Sequence, residues 1–179
     1  MTKTIIAIMT GLIGAAVLHI LIILVLPLYT GSDAWSKIIN LGPENEFHVL
    51  ANQKNSTGLY NEDIHIQSAA CYFDLEAGPV QIVADKSTDM WTFGAFDADA
   101  NEVFSMSARS SIRGDVNFLI VTRAQILALK SEEPDLVSRS IAIEVSDTQG
   151  YVVLRAIAPD FSQVSEARSF LSSASCAIL

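Results

Sequence analysis

Thr4–Leu28 reads TIIAIMTGLIGAAVLHILIILVLPL, an apolar run in which His19 is the one ionisable side chain. At ~1.5 Å per helical residue, its roughly 25 residues give about 37 Å of helix. A bilayer core demands only ~30 Å, so the run spans it with some tilt. Secretory signals carry a shorter apolar core of ~7–15 residues. Ser32-Asp33-Ala34 offers small residues for a cleavage site, but the length of the run favours a retained anchor. The stretch thereby divides the chain into a tail and transmembrane helix at 1–30, an interfacial helix and linker at 31–67, and a β-rich domain at 68–179.

Two features orient the anchor. Lys3 and the terminal amine lie on one side, and Asp33 precedes Lys37 on the other, so the positive-inside rule puts the N-terminus in the cytoplasm. The β-rich domain is then periplasmic. Cys71 and Cys176 fit that compartment as a disulfide, the alternative being two buried thiols. A net charge of −9 argues against nucleic acid and gives no attraction to anionic lipid heads.

Inside the run, Gly11, Ala15 and His19 recur every fourth residue and share one helix face, with Gly14 beside them. Small residues at that spacing let two helix backbones approach closely, so we expect a second membrane protein against this face. His19 then has three uses: a neutral imidazole hydrogen-bonded across the helix interface, a snorkelling side chain, or a ligand to a haem or chlorin metal. No second histidine follows at helical spacing, and no cofactor is expected.

After the run, Pro27 and Gly31 mark the bilayer exit, and Tyr29 and Trp35 are aromatics suited to the interface. Ser32 or Asp33 caps a short helix, Ala34–Leu41, stopped by Gly42-Pro43, with Trp35, Ile38 and Ile39 resting on lipid. A polar connection, Pro43–Gln67, follows and holds a formal sequon, Asn55-Ser56-Thr57, by chance composition. From Ser68 the pattern becomes that of strands: Ala69–Leu75, Val80–Ala84, a hairpin of Met90–Phe96 with Val103–Met106, and Val116–Thr122. A helical segment, Arg123–Lys130, leads to a second hairpin, Ser140–Ser146 with Tyr151–Ala158, turned at Asp147-Thr148-Gln149-Gly150. An amphipathic helix over Phe161–Ala174, capped by Asp160, closes the chain. The fold class is mainly β, an antiparallel sandwich or barrel-like domain with a C-terminal helix behind one transmembrane helix.

Chemistry-bearing motifs are few. Asp97-x-Asp99-x-Asn101-Glu102 opens like a calcium loop, but Glu102 stands where glycine is needed and Ala108 where glutamate is needed. Nucleophilic catalysis needs a base beside its serine, yet the soluble part has only His48 and His65 and no Gly-x-Ser-x-Gly elbow. Arg109 and Arg113, in the loop Ser107–Asp115, are the polar candidates for gripping an anionic ligand or partner.

The order Cys71-Tyr72-Phe73-Asp74-Leu75, Gly78-Pro79-Val80, Trp91 to Phe96-Asp97 and Asn101-Glu102-Val103-Phe104-Ser105 resembles the bacterial family catalogued as domain of unknown function 1254. Gly14, His19 and Asp33-Ala34-Trp35-Ser36 resemble its short membrane-anchored members. Longer members carry Asn-Arg-Asp-Thr where this chain has Asn61-Glu62-Asp63-Ile64. The resemblance implies no established reaction, and it implies a partner bearing the companion domain of unknown function 1214. We expect a non-enzymatic accessory or assembly subunit of a membrane complex. The alternatives are a small-ligand domain using the sandwich interior or the Arg109–Arg113 loop, and a hydrolase of unrecognised type.

Overall fold

The computed structural model describes the chain apart from residues 1, 55, 56, 85–87, 89, 112 and 113, and apart from the side chains of 27–33. It is a two-sheet sandwich behind one long helix. Helix α1 spans Thr2–Ile38 and is followed by β1 (His48–Val49), β2 (Ile66–Asp74), β3 (Val80–Ala84), β4 (Trp91–Asp97), β5 (Glu102–Ser107) and β6 (Val116–Val121). Then come α2 (Arg123–Glu132), α3 (Pro134–Arg139), β7 (Ile141–Glu144), β8 (Gln149–Ile157), α4 (Val164–Ser173) and β9 (Ser175–Ile178). One sheet runs β1-β2-β8-β4-β5 and the other β7-β6-β3-β9.

Alternation in the sequence decides which side chains enter the core. In the first sheet Cys71, Phe73, Trp91, Phe93, Val152 and Leu154 point inward, and in the second Val80, Ile82, Phe118, Ile120 and Cys176 meet them. Phe93 stacks on Phe118 with ring centroids 4.2 Å apart, and Trp91 and Phe104 set their edges against the same Phe118 ring. The Trp91 indole N–H donates to the Gly114 carbonyl at 3.2 Å, so its one polar atom is satisfied. These rings fill the space between the sheets. Cys71 and Cys176 are bonded, joining β2 of one sheet to β9 of the other.

Strand β6 is apolar along both faces because both are covered. Phe118 and Ile120 face the other sheet, while Leu119 and Val121 pack beneath Ile126 and Leu129 of α2. Helix α2 starts on a capping box, with the Thr122 side chain accepting from the Gln125 N–H and the Gln125 side chain accepting from the Thr122 N–H. At the other end of the domain, α4 buries Ala167, Phe170 and Leu171, and Asp160 caps the turn that precedes it.

Four expectations are corrected. The separate helix expected at Ala34–Leu41 does not form: α1 runs unbroken to Ile38, taking in Ala34–Ile38, and the chain then turns. A proline removes one backbone donor, a loss that long membrane helices tolerate, and the far end is held by tertiary packing. Trp35 and Ile38 do not rest on lipid: Trp35 lies against Tyr72 and Tyr151, and Ile38 is buried in the same cluster. Strand β7 forms no hairpin with β8. It pairs in parallel with β6, across α2 and α3, while β8 sits in the other sheet between β2 and β4. The stretch 31–67 is more than a linker, since β1 pairs with β2 and the Asn61 side chain is buried, donating to the Leu50 carbonyl. The sequon's Asn55 and Ser56 lie outside the described residues.

The disulfide closes a loop of 105 residues, for which the chain-entropy relation gives about 4–5 kcal/mol of unfolded-state restriction. Replacing both Cys71 and Cys176 with alanine is expected to cost about 2–5 kcal/mol. Urea unfolding of the purified full chain in detergent, with and without the bridge, measures it.

Candidate functional site

Helices α2 and α3 cover the second sheet's outer face over β6 and β7, and the first sheet's outer face is likewise covered only in part. Strand pairing arranges that face in four rows across β2, β8, β4 and β5. One row is Tyr72, Tyr151 and Phe96, with Glu102 at its edge. The next is Ala70, Val153, Gly94 and Ser105, and the third is Ser68, Arg155, Thr92 and Ser107. The last pairs Ile66 with Ile157, whose N–H donates to the Met90 carbonyl.

The end of α1 and the segment after it cover the β2 side of this face. Trp35 sets its edge on Tyr72 and tilts over Tyr151, and Leu41 and Leu59 join the cluster. Phe96 stacks on Tyr151 with centroids 5.0 Å apart. Phe96 also leans over Gly94, where a Cβ would lie 2.9 Å from its ring, so the bare strand position is what allows the ring to lie flat.

Beyond that cover the face is open. A groove of about 460 Å³ runs over β4 and β5, with Gly94 in its floor, Phe96 as a wall, and Thr92, Ser105, Ser107, Ser110 and Arg155 around it. Arg155 is exposed and makes no hydrogen bond or ion pair among the described residues. Glu102, on the groove's edge, accepts from the Ser105 hydroxyl at 2.7 Å. The last row remains bare: Ile66, Ile157 and Met90 are 39%, 39% and 43% exposed. A second groove of about 280 Å³ lies between β5, β7 and α3, lined by Ser110, Ser111, Ser138, Ser140, Asn117 and Arg139. There Asn117 accepts from Ser140 and donates to the Arg139 carbonyl, so its polar groups serve the fold.

The residues singled out in the sequence are scattered. Gly11, Gly14, Ala15 and His19 lie on the exposed part of α1, and among the described residues nothing beyond the helix itself comes within 4 Å of a Cβ built on either glycine. Arg109 is exposed beside Ser110, whereas Arg113 lies outside the described residues. The acidic stretch after β4 is a closed turn. Asp97 accepts from both the backbone and the side-chain N–H groups of Asn101 at 2.8 Å, and Ala100 adopts a positive φ of 63°. Among the described residues, no three His, Cys, Asp or Glu side chains gather as a metal would require. The sequence reading missed Arg155 and Gly94. The signal was present, since a lone arginine interrupts the apolar strand YVVLRAI and a glycine interrupts WTFGAF.

Two titrating groups mark the helix seat and its rim. The Gln149 amide, and then the Glu76 backbone N–H, hold the Asp74 carboxyl below its ordinary range. Desolvation, and then the negative charge of Asp97, push the Tyr151 phenol above its usual 10.0, with Arg155 opposing.

No protein-family model matches this chain, and no curated protein matches it. Solved structures share its fold. The VPA0106 protein of Vibrio parahaemolyticus superposes with a TM-score of 0.60 at 18% identity, over 83% of this chain and 35% of that one. An uncharacterised protein from Burkholderia cenocepacia gives 0.51 at 12% identity, over 83% of this chain and 38% of that one. At these identities the likeness is one of fold. The chain spans little more than a third of either structure.

Because the Tyr151 phenol keeps its proton more tightly when folded, its contribution to stability is complete below pH 10.0 and is lost as pH rises through the higher folded value. Tyr151→Phe should therefore flatten the fall in urea midpoint above pH 10.0, measured alongside the unaltered chain.

Proposed function

We propose that this chain is a single-pass membrane protein of the bacterial inner membrane, serving a larger membrane complex as a non-enzymatic accessory or assembly subunit. Its N-terminus is cytoplasmic and its sandwich is periplasmic. The 25-residue apolar stretch Thr2–Leu26 supports the anchor, and the disulfide supports an oxidising compartment.

One observation carries the accessory reading: apolar side chains are left bare on both the helix and the sheet. This bare surface includes the Gly11/Ala15/His19 helix and the Ile66–Ile157–Met90 row, while aromatic rings fill the sandwich interior. Uncovered apolar area of this kind is what a partner protein covers. In both fold neighbours the matching part is little more than a third of the chain, which accords with a sandwich that works against further structure. A chain carrying the companion domain of unknown function 1214 is the first partner to seek, by the resemblance to the 1254 family.

Unbroken α1 matters here, because it couples the two surfaces. A partner held at the helix face is presented to the sheet face by one continuous rod of ~55 Å.

Gly11→Leu and Ile157→Ser should each reduce partner recovery from mild detergent about tenfold, corresponding to ~1.4 kcal/mol of lost contact. Neither should lower the unfolding temperature of the sandwich. Undiminished recovery with both changes combined would end this reading.

A further inference from the structure

We propose that the groove over Gly94 binds a small organic carboxylate whose apolar body lies on Phe96. This assignment is independent of the accessory reading.

The first ground is the position of Arg155. It projects from β8, a strand hydrogen-bonded on both sides, so its backbone is fixed by β2 and β4. Acidic side chains outnumber Lys and Arg by 20 to 11, yet this arginine takes none of them among the described residues. A guanidinium fork in that state offers two parallel N–H donors to a planar oxyanion. Thr92 and Ser107 stand in the same cross-strand row and add hydroxyl donors beside it.

The second ground is shape. The groove's volume of about 460 Å³ falls in the ~300–1,000 Å³ range of small-molecule sites. Gly94 lets the Phe96 ring lie flat over the strand, and that ring, held by its stack on Tyr151, gives a flat apolar wall. An apolar wall at one end and a fork with hydroxyls at the other match a carboxylate on an apolar stem.

Charge selects among anions. Among the described residues Arg155 is the one cation lining the groove, and Glu102 stands on its edge with its carboxylate tied to Ser105. A singly charged carboxylate is matched by one guanidinium. A phosphate dianion would keep a second charge facing Glu102.

Isothermal titration of the full chain in detergent decides the matter, with benzoate, 3-phenylpropanoate and hexanoate as probes and 3-phenylpropanamide and inorganic phosphate as controls. At least one carboxylate should bind saturably, and at least tenfold more tightly than the amide or phosphate. Arg155→Gln should weaken it tenfold or more, Arg155→Lys less so, and Ser107→Ala a few-fold, all with unchanged unfolding temperature. Absence of saturable binding for all three carboxylates up to about 5 mM, the weak end of useful affinity, would overturn the assignment. So would equal binding of the amide, preference for phosphate, or retention of affinity in Arg155→Gln.

Discussion

The contact on which this structure rests is the stack of Phe93 on Phe118, with Trp91 and Phe104 set edgewise around the same ring. It joins β4 and β5 of one sheet to β6 of the other, and each ring is positioned by strand alternation alone. Aromatic pairs in such offset and edge arrangements contribute about 0.5–1.5 kcal/mol each beyond the area they bury. With the interior filled this way, the inward half of every strand is committed to packing. What the chain can offer to another molecule must come from outer faces, edges and the helix.

The outer faces are treated unequally. Alpha-helical cover over Leu119 and Val121 buries β6 on both sides, and β6 accordingly reads as a nearly continuous apolar run. The first sheet instead receives the apolar N-terminal helix α1, whose Trp35 and Ile38 close over Tyr72, Tyr151 and Ala70. This seat joins an apolar rod to a folded domain without a flexible break at Ile38's side of the helix. It also divides the sheet face into a covered half, an open polar groove and a bare apolar row.

Much of this was legible in the residues. The apolar run, the strands at Ala69–Leu75 and Val80–Ala84, the β4–β5 hairpin and the terminal amphipathic helix follow from periodicity and turn chemistry, which are local. Other features are not local. That α1 continues past Pro27 depends on Trp35 finding Tyr72 and Tyr151, residues far along the chain. That Ile141–Glu144 pairs in parallel with β6 depends on the α2–α3 crossover returning it beside that strand; alone it reads like one arm of a hairpin with β8. Strand β9 is four residues long and takes its place by pairing with β3. The groove needs register most of all, since Arg155, Thr92, Gly94 and Ser107 come together only when β8, β4 and β5 are laid side by side.

On the proposed reading, α1 spans a membrane and carries the sandwich on its oxidising side. Protease added to intact spheroplasts, with the chain tagged at each end in turn, tests this directly. We expect the C-terminal tag and the domain to be exposed to protease, the N-terminal tag to be protected until lysis, and the intact pool to hold Cys71 bonded to Cys176. A protected C-terminal domain with both thiols free to alkylation would contradict it.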